Sequence, residues 1–187
     1  HDRFAFNDNQ KYAYNNMNFS ANWRSIFSEK LTANFSFGYD HYDCRNDESV
    51  EEAAAARLSF AINQWFGKAD FSYKLDNNHT LNFGLMSQFY NINSGTYEPL
   101  HESSLVKWDQ LQKDKALESA IYIGDQWEIT PKLSVNAGIR YSMFNLLGPR
   151  TYYTYQDGML PSSTTVVDSV SVGSGKVVKT YQGPEFR

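Results

Sequence analysis

The chain has 187 residues, a net charge of -4 and a pI of about 5.5, so it can build one domain with a sizeable core and shows no basic field of the kind that draws nucleic acid. Aromatic residues make up 16%, with 13 Tyr and 13 Phe, yet mean hydropathy is -0.57, which suits strands with one apolar and one polar face. The single Cys44 rules out an internal disulfide and reads as an inert thiol, and no run nears the roughly 18 apolar residues of a membrane-spanning helix.

Period-2 alternation dominates from Met17 onward. Phe19, Ala21, Trp23, Ser25 and Phe27 fall on one face, against Asn18, Ser20, Asn22 and Arg24. After Ser28-Glu29-Lys30 the alternation resumes with Leu31, Ala33, Phe35, Phe37 and Tyr39, which predicts a hairpin. An acidic loop is expected over 43–55. A long strand then runs over 56–75, with Leu58, Phe60 and Ile62 even but Trp65, Ala69, Phe71 and Tyr73 odd; a bulge near Gly67 would switch the face. Asp76-Asn77-Asn78-His79 signals a turn, and Leu81, Phe83, Leu85 and Phe89 mark the next strand. A longer loop over 93–115 is expected to hold a short helix within 103–113. A second tight hairpin follows, 117–129 and 133–154 about Thr130-Pro131-Lys132, and then a Gly/Ser/Thr/Val-rich loop from 155 to 181 with its own hairpin near 164–172.

Tight links near 29, 77 and 131 thus alternate with long ones near 48, 102 and 162. The strands, at about 12–20 residues, exceed the ~5–6 of soluble sheets and the ~9–11 that a tilted membrane strand needs. Short turns at one end, long loops at the other and dyad alternation predict an all-β, antiparallel, up-and-down transmembrane β-barrel segment of about six strands filling residues 1–187. Trp23, Phe27, Phe71, Tyr73 and Trp127 flank the short turns and predict an aromatic girdle at a membrane–water boundary; Tyr39, Phe89, Tyr90, Phe144, Tyr152 and Tyr153 form a second set toward the long loops. Arg24, Lys68, Asn136 and Arg140 share the polar parity and are expected to face a wet lumen. Asp125 breaks the pattern, because it shares parity with Ile121, Ile123 and Trp127. A local bulge or a headgroup-level position would accommodate it.

No Walker loop, HExxH, CxxC or nucleophile elbow occurs, so no catalytic, metal or cofactor site is expected and the chain does not read as an enzyme. In Asp40-His41-Tyr42-Asp43 the alternation puts His41 and Asp43 on one face and Asp40 on the other. Tyr97, Glu102, Trp108 and Tyr155 are the loop residues suited to meet a ligand or a partner.

The run ESAIYIGDQWEITPKLSVNAGIRY, 118–141, resembles the mid-barrel hairpin of TonB-dependent outer-membrane transporters. The matching residues are Tyr122, Asp125 and Trp127 on one strand and Gly138, Arg140 and Tyr141 on the next. The Tyr- and Asn-rich style resembles the Bacteroidetes branch. The resemblance implies a bacterial outer-membrane barrel of roughly 22 strands gated by a plug domain. It also implies energy supplied through TonB, a bulky nutrient of the siderophore, vitamin, glycan or peptide class as cargo, and a surface lipoprotein as a possible partner. The plug and the TonB contact are expected outside this chain, which reads as a mature piece of something larger. Two other architectures stay open from the residues: a scaffolding barrel in a surface or assembly complex, and a soluble all-β binding module.

Overall fold

The computed structural model describes residues 2–7, in their backbone course, and 10–187. Among the described residues eleven strands form: β1 Asp2–Asn7, β2 Gln10–Ile26, β3 Leu31–Glu48, β4 Ala56–Lys74, β5 His79–Pro99, β6 Asp109–Gln110, β7 Asp114–Thr130, β8 Leu133–Leu147, β9 Arg150–Tyr155, β10 Val166–Val172 and β11 Val177–Phe186. One antiparallel sheet runs β1-β2-β3-β4-β5-β7-β8-β11, with β6 added to β5, while β9 and β10 pair as a separate ribbon. The all-β antiparallel architecture agrees with the sequence reading, and the sheet does not close on itself.

The sheet is a single layer. Among the described residues the buried hydrophobic positions are Ala33, Ala55, Ala56, Ala116 and Ala120, and no large side chain is fully buried. Pairing holds the layer: β2–β3 and β3–β4 keep an unbroken register along their whole length. Directly opposed residues share a face. One face therefore carries Trp23, Phe35, Ala69, Leu85, Ile121 and Tyr141, and the other carries Arg24, Lys68, Tyr122 and Arg140. We call these the Trp23 face and the Arg24 face.

Four expectations are corrected by this register. No bulge occurs at Gly67, which sits in continuous pairing with Phe37 and Ser87. The register shift lies further along, where Ser59 and Ala61 pair with Thr96 and Asn93, so the extra residue belongs to β5. The 43–55 segment is not a loop throughout: β3 continues to Glu48, and only a 3-10 turn, Glu52–Ala54, follows. Its acidic residues tolerate a ladder because Arg57 on β4 takes Asp47 with two hydrogen bonds, 2.6 and 2.9 Å. No helix forms over 103–113, since Asp109 and Gln110 pair with Tyr97 and Thr96 of β5; strand addition outcompetes the helical spacing of Leu105, Trp108 and Leu111. The tail past 155 is not one loop either. The 133–154 strand breaks at a cis Gly148–Pro149, the β9–β10 ribbon stands apart, and β11 returns to pair with β8.

The short turns are tied locally. Asp76 Oδ1 accepts the backbone N–H groups of Asn78 and His79, both at 2.8 Å. These two amides hold the exposed Asp76 carboxyl below its ordinary value. A depressed folded-state value means that the contribution is present above the unfolded value of about 3.9 and is lost as pH falls through the folded one. Asp76→Ala should therefore speed amide hydrogen exchange at Asn78 and His79 at neutral pH, and the gap from wild type should close in acid. Asp76→Asn, which can still accept, should keep most of the protection. Equal exchange in Asp76→Ala and wild type at neutral pH would refute this.

Candidate functional site

The candidate functional surface is the two-faced sheet itself. On the Trp23 face an apolar band covers 31–39 of β3, 65–73 of β4, 81–89 of β5, 117–127 of β7 and 133–143 of β8. These spans match the ~9–11 residues that cross a bilayer at a tilt. The band is solvent-open in the isolated sheet: Trp23 is 67% exposed and Ile121 64%.

Aromatic rings link the band from strand to strand. Trp23 stacks on Phe35 at 5.4 Å, Phe35 meets Phe71 edge-on at 5.9 Å, and Phe71 stacks on Phe83 at 5.3 Å. Each such pair adds about 0.5–1.5 kcal/mol beyond its buried area. Trp127 stacks instead on His79, at 5.5 Å. Tyr73 is the penultimate residue of β4, opposite Leu31 and Leu81, and Phe27 lies just past β2 in the turn, its N–H donating to the Leu31 carbonyl. Phe35, Phe83 and His79 belong to this row without having been expected there, although the parity of their strands carries the signal. At the band's other edge Tyr39 packs on Trp65 at 4.4 Å, opposite Phe89. The second aromatic set is split by the register. Tyr90 and Phe144 lie on the Arg24 face, and Tyr152 and Tyr153 lie on the separate β9–β10 ribbon.

Asp125 needs no bulge, because its pairing with Leu81 and Ala137 is continuous. His79 Nδ1 lies 2.7 Å from Asp125 Oδ2, which gives the carboxylate a partner on the apolar face.

Beside the band, the Arg24 face is ionic and networked. Lys68 Nζ is 2.9 Å from Asp70, and Asp70 accepts the Tyr122 hydroxyl. Arg140 donates to Ser142 at 2.9 Å and faces Glu118 at 3.5 Å; Ser142 in turn donates to Glu185 at 2.5 Å. Arg140 is thus not simply hydrated: its side chain is 15% exposed and held by β7 and β11. Arg24 is exposed opposite Asn34, and Asn136 is exposed beside the facing pair Gly124 and Gly138, where missing side chains leave a dent walled by Asn82, Tyr122 and Arg140.

Beyond the row Tyr39–Trp65–Phe89 both faces reverse polarity while the β3–β4 register stays unbroken. The Trp23 face turns polar, with His41, Asp43, Arg45, Asp47, Arg57 and Asn63. The Arg24 face turns apolar, with Tyr42, Phe60 and Ile62. This reversal is why Leu58, Phe60 and Ile62 disagree in parity with Trp65 onward. Arg57 holds the Asp47 carboxyl below its ordinary value. Arg57→Ala should cost roughly 0.5–1 kcal/mol, as a lost cross-strand ion pair does. That cost should show as lower protection of the 43–48 and 56–60 amides, and it should vanish as pH falls through the depressed Asp47 value.

Of the loop candidates, Tyr97 lies within β5 on the Arg24 face, opposite Leu58, and Trp108 precedes the β6 residue that pairs with it. Glu102 sits in the exposed turn between β5 and β6, while Tyr155 ends β9 on the separate ribbon. Tyr97 and Trp108 are therefore close along the β5–β6 pairing, while Tyr155 pairs with Val166 on the ribbon.

By structure the chain is similar to the copper transporter OprC, with a TM-score of 0.60 at 11% identity, covering 98% of this chain and 32% of that one. The likeness is one of fold, and the chain spans about a third of that relative. No curated protein matches it by sequence. The family comparison is decisive: residues 1–182 match the family described as TonB dependent receptor-like, beta-barrel, and the chain belongs to that family.

Proposed function

We propose that this chain is an arc of the wall of a TonB-dependent outer-membrane transporter, its Trp23 face against lipid and its Arg24 face toward the lumen. One observation carries the reading: a single-layer sheet presents a band of large apolar side chains on one face and an ionic network on the other, with no packed core between. Only an apolar medium outside and a wet space inside satisfy both faces. The turns near 29, 77 and 131 then lie on the periplasmic side, and the long links lie outside the cell.

The cargo is a bulky, scarce nutrient of the siderophore, vitamin, glycan or peptide class. In a closed barrel, Tyr42, Phe60, Ile62 and Tyr97 give the outer mouth an apolar wall that favours cargo with apolar surface. Trp108, Glu102 and Tyr155 stand on or near the long links, where cargo or a surface lipoprotein arrives. The plug and the contact with TonB are supplied by other parts of the protein.

The test uses the complete protein. It should fractionate with outer membranes, migrate faster in SDS gels before boiling than after, and form a complex with the purified periplasmic domain of TonB. A protein that stays soluble without detergent defeats the membrane placement. A folded barrel that never binds the TonB domain defeats transport and favours a scaffolding barrel.

A further inference from the structure

The strands do not stop where the apolar band stops. β3 runs nine residues past Tyr39, to Glu48, and β4 and β5 run with it. At about 3.3 Å per residue and a tilt near 40° this carries the sheet roughly 20 Å beyond the band. There the Trp23 face is polar but remains the outward face of the wall, because its register is unbroken. On the membrane placement proposed above, what meets an outward surface at that height is the headgroup layer of the outer leaflet.

The chemistry of that surface suits a phosphorylated saccharide. Asn15, Asn63, Asn91 and Asn93 place carboxamides, which pair with sugar hydroxyls, on one face directly above the Tyr39–Trp65–Phe89 row. A shallow concavity is lined by His41, Asp43, Arg45, Arg57, Asn93 and Glu98. Asp43 accepts from Asn15 at 3.2 Å and lies 3.1 Å from His41 Nε2, Asp47 nearby is bound by Arg57, and Glu98 reaches Arg57 at 4.0 Å. Arg45 is different: its side chain is 49% exposed and it reaches Asp43 only at 3.5 Å. Among the described residues its guanidinium finds one acceptor, Asp43, and its five-donor fork matches a phosphate. Lys11 and Lys115 lie on the same face to either side.

We propose that this outward polar face is a seat for the phosphorylated sugar headgroup of an outer-leaflet glycolipid, with Arg45 as the group that holds the phosphate. The apolar band below takes the acyl chains and the Tyr39–Trp65 pair sits at the boundary, so one lipid molecule spans both surfaces.

The experiment measures binding of bisphosphorylated lipid A to the full-length protein in phosphatidylcholine nanodiscs, with inorganic phosphate and dephosphorylated lipid A as separate probes. Wild type should prefer the phosphorylated lipid. Arg45→Glu, and more mildly the neutral Arg45→Gln, should lower its apparent affinity, by roughly tenfold for the charge reversal. The same reversal on the opposite face, Arg24→Glu, should leave it unchanged. All variants are first checked for the unboiled fast-migrating form, so a failure of the barrel placement is seen apart from a failure of the site. Equal affinity of wild type and Arg45→Glu in folded barrels overturns the proposal. So does dephosphorylated lipid A binding as well as the phosphorylated form, or inorganic phosphate displacing the lipid at equal concentration.

Discussion

Leu85→Arg in the full-length protein is expected to destabilise folding into lipid vesicles by about 2–4 kcal/mol, the cost of a cation at the middle of a barrel surface that, on the placement proposed above, faces lipid. Leu85 is chosen for its row. It lies between Ala69 and Ile121, with Phe35 and Tyr141 on the next strands out, midway along the apolar band. It is 52% exposed in the isolated sheet, so the substitution opens no cavity and leaves no partner unpaired. The penalty comes from the medium alone. Asn136→Arg supplies the contrast: the position is exposed and on the Arg24 face, and surface changes of that kind stay within about 0.5 kcal/mol. Urea titration of folding into vesicles measures both. If the two arginines cost the same, the faces are not divided between lipid and water.

The alternation that defines the faces was legible because period 2 needs only local residue types, and a sheet with different media on its two sides writes those types in strict order. What the sequence hid depends on pairing across strands. The polarity reversal past Tyr39 looked like a bulge at Gly67, since a change of face and a change of medium leave the same mark in one strand. Only the unbroken β3–β4 register separates them. Asp125 looked misplaced because its partner, His79, is 46 residues away. Arg140 looked merely hydrated for the same reason: Glu118 and Glu185 reach it from other strands. β11 was hidden because a strand ending a long excursion shows no hairpin signal to its true neighbour, β8.

Gly84→Ala should cost about 1–3 kcal/mol, and Gly84→Val more, although each replaces glycine by a better strand former. Glycine in a strand interior ordinarily costs ~0.5–1 kcal/mol relative to alanine. Gly67 shows that ordinary case. A Cβ there would meet nothing within 4 Å, so Gly67→Ala should be neutral or mildly stabilising. At Gly84 a Cβ would collide with the Ala69 carbonyl oxygen and with the Tyr122 phenol. Neither neighbour yields cheaply. The carbonyl belongs to the β4–β5 ladder, and the phenol lies over the glycine to reach Asp70. Phe66 covers Gly38 on the neighbouring strand pair in the same way. Tyr122→Ala should thus rescue only part of the Gly84→Ala loss, because the carbonyl contact remains. Partial rescue in a double-mutant cycle, read by folding into vesicles, checks the geometry; full rescue would place the whole cost on the ring, and no rescue would place it on the backbone.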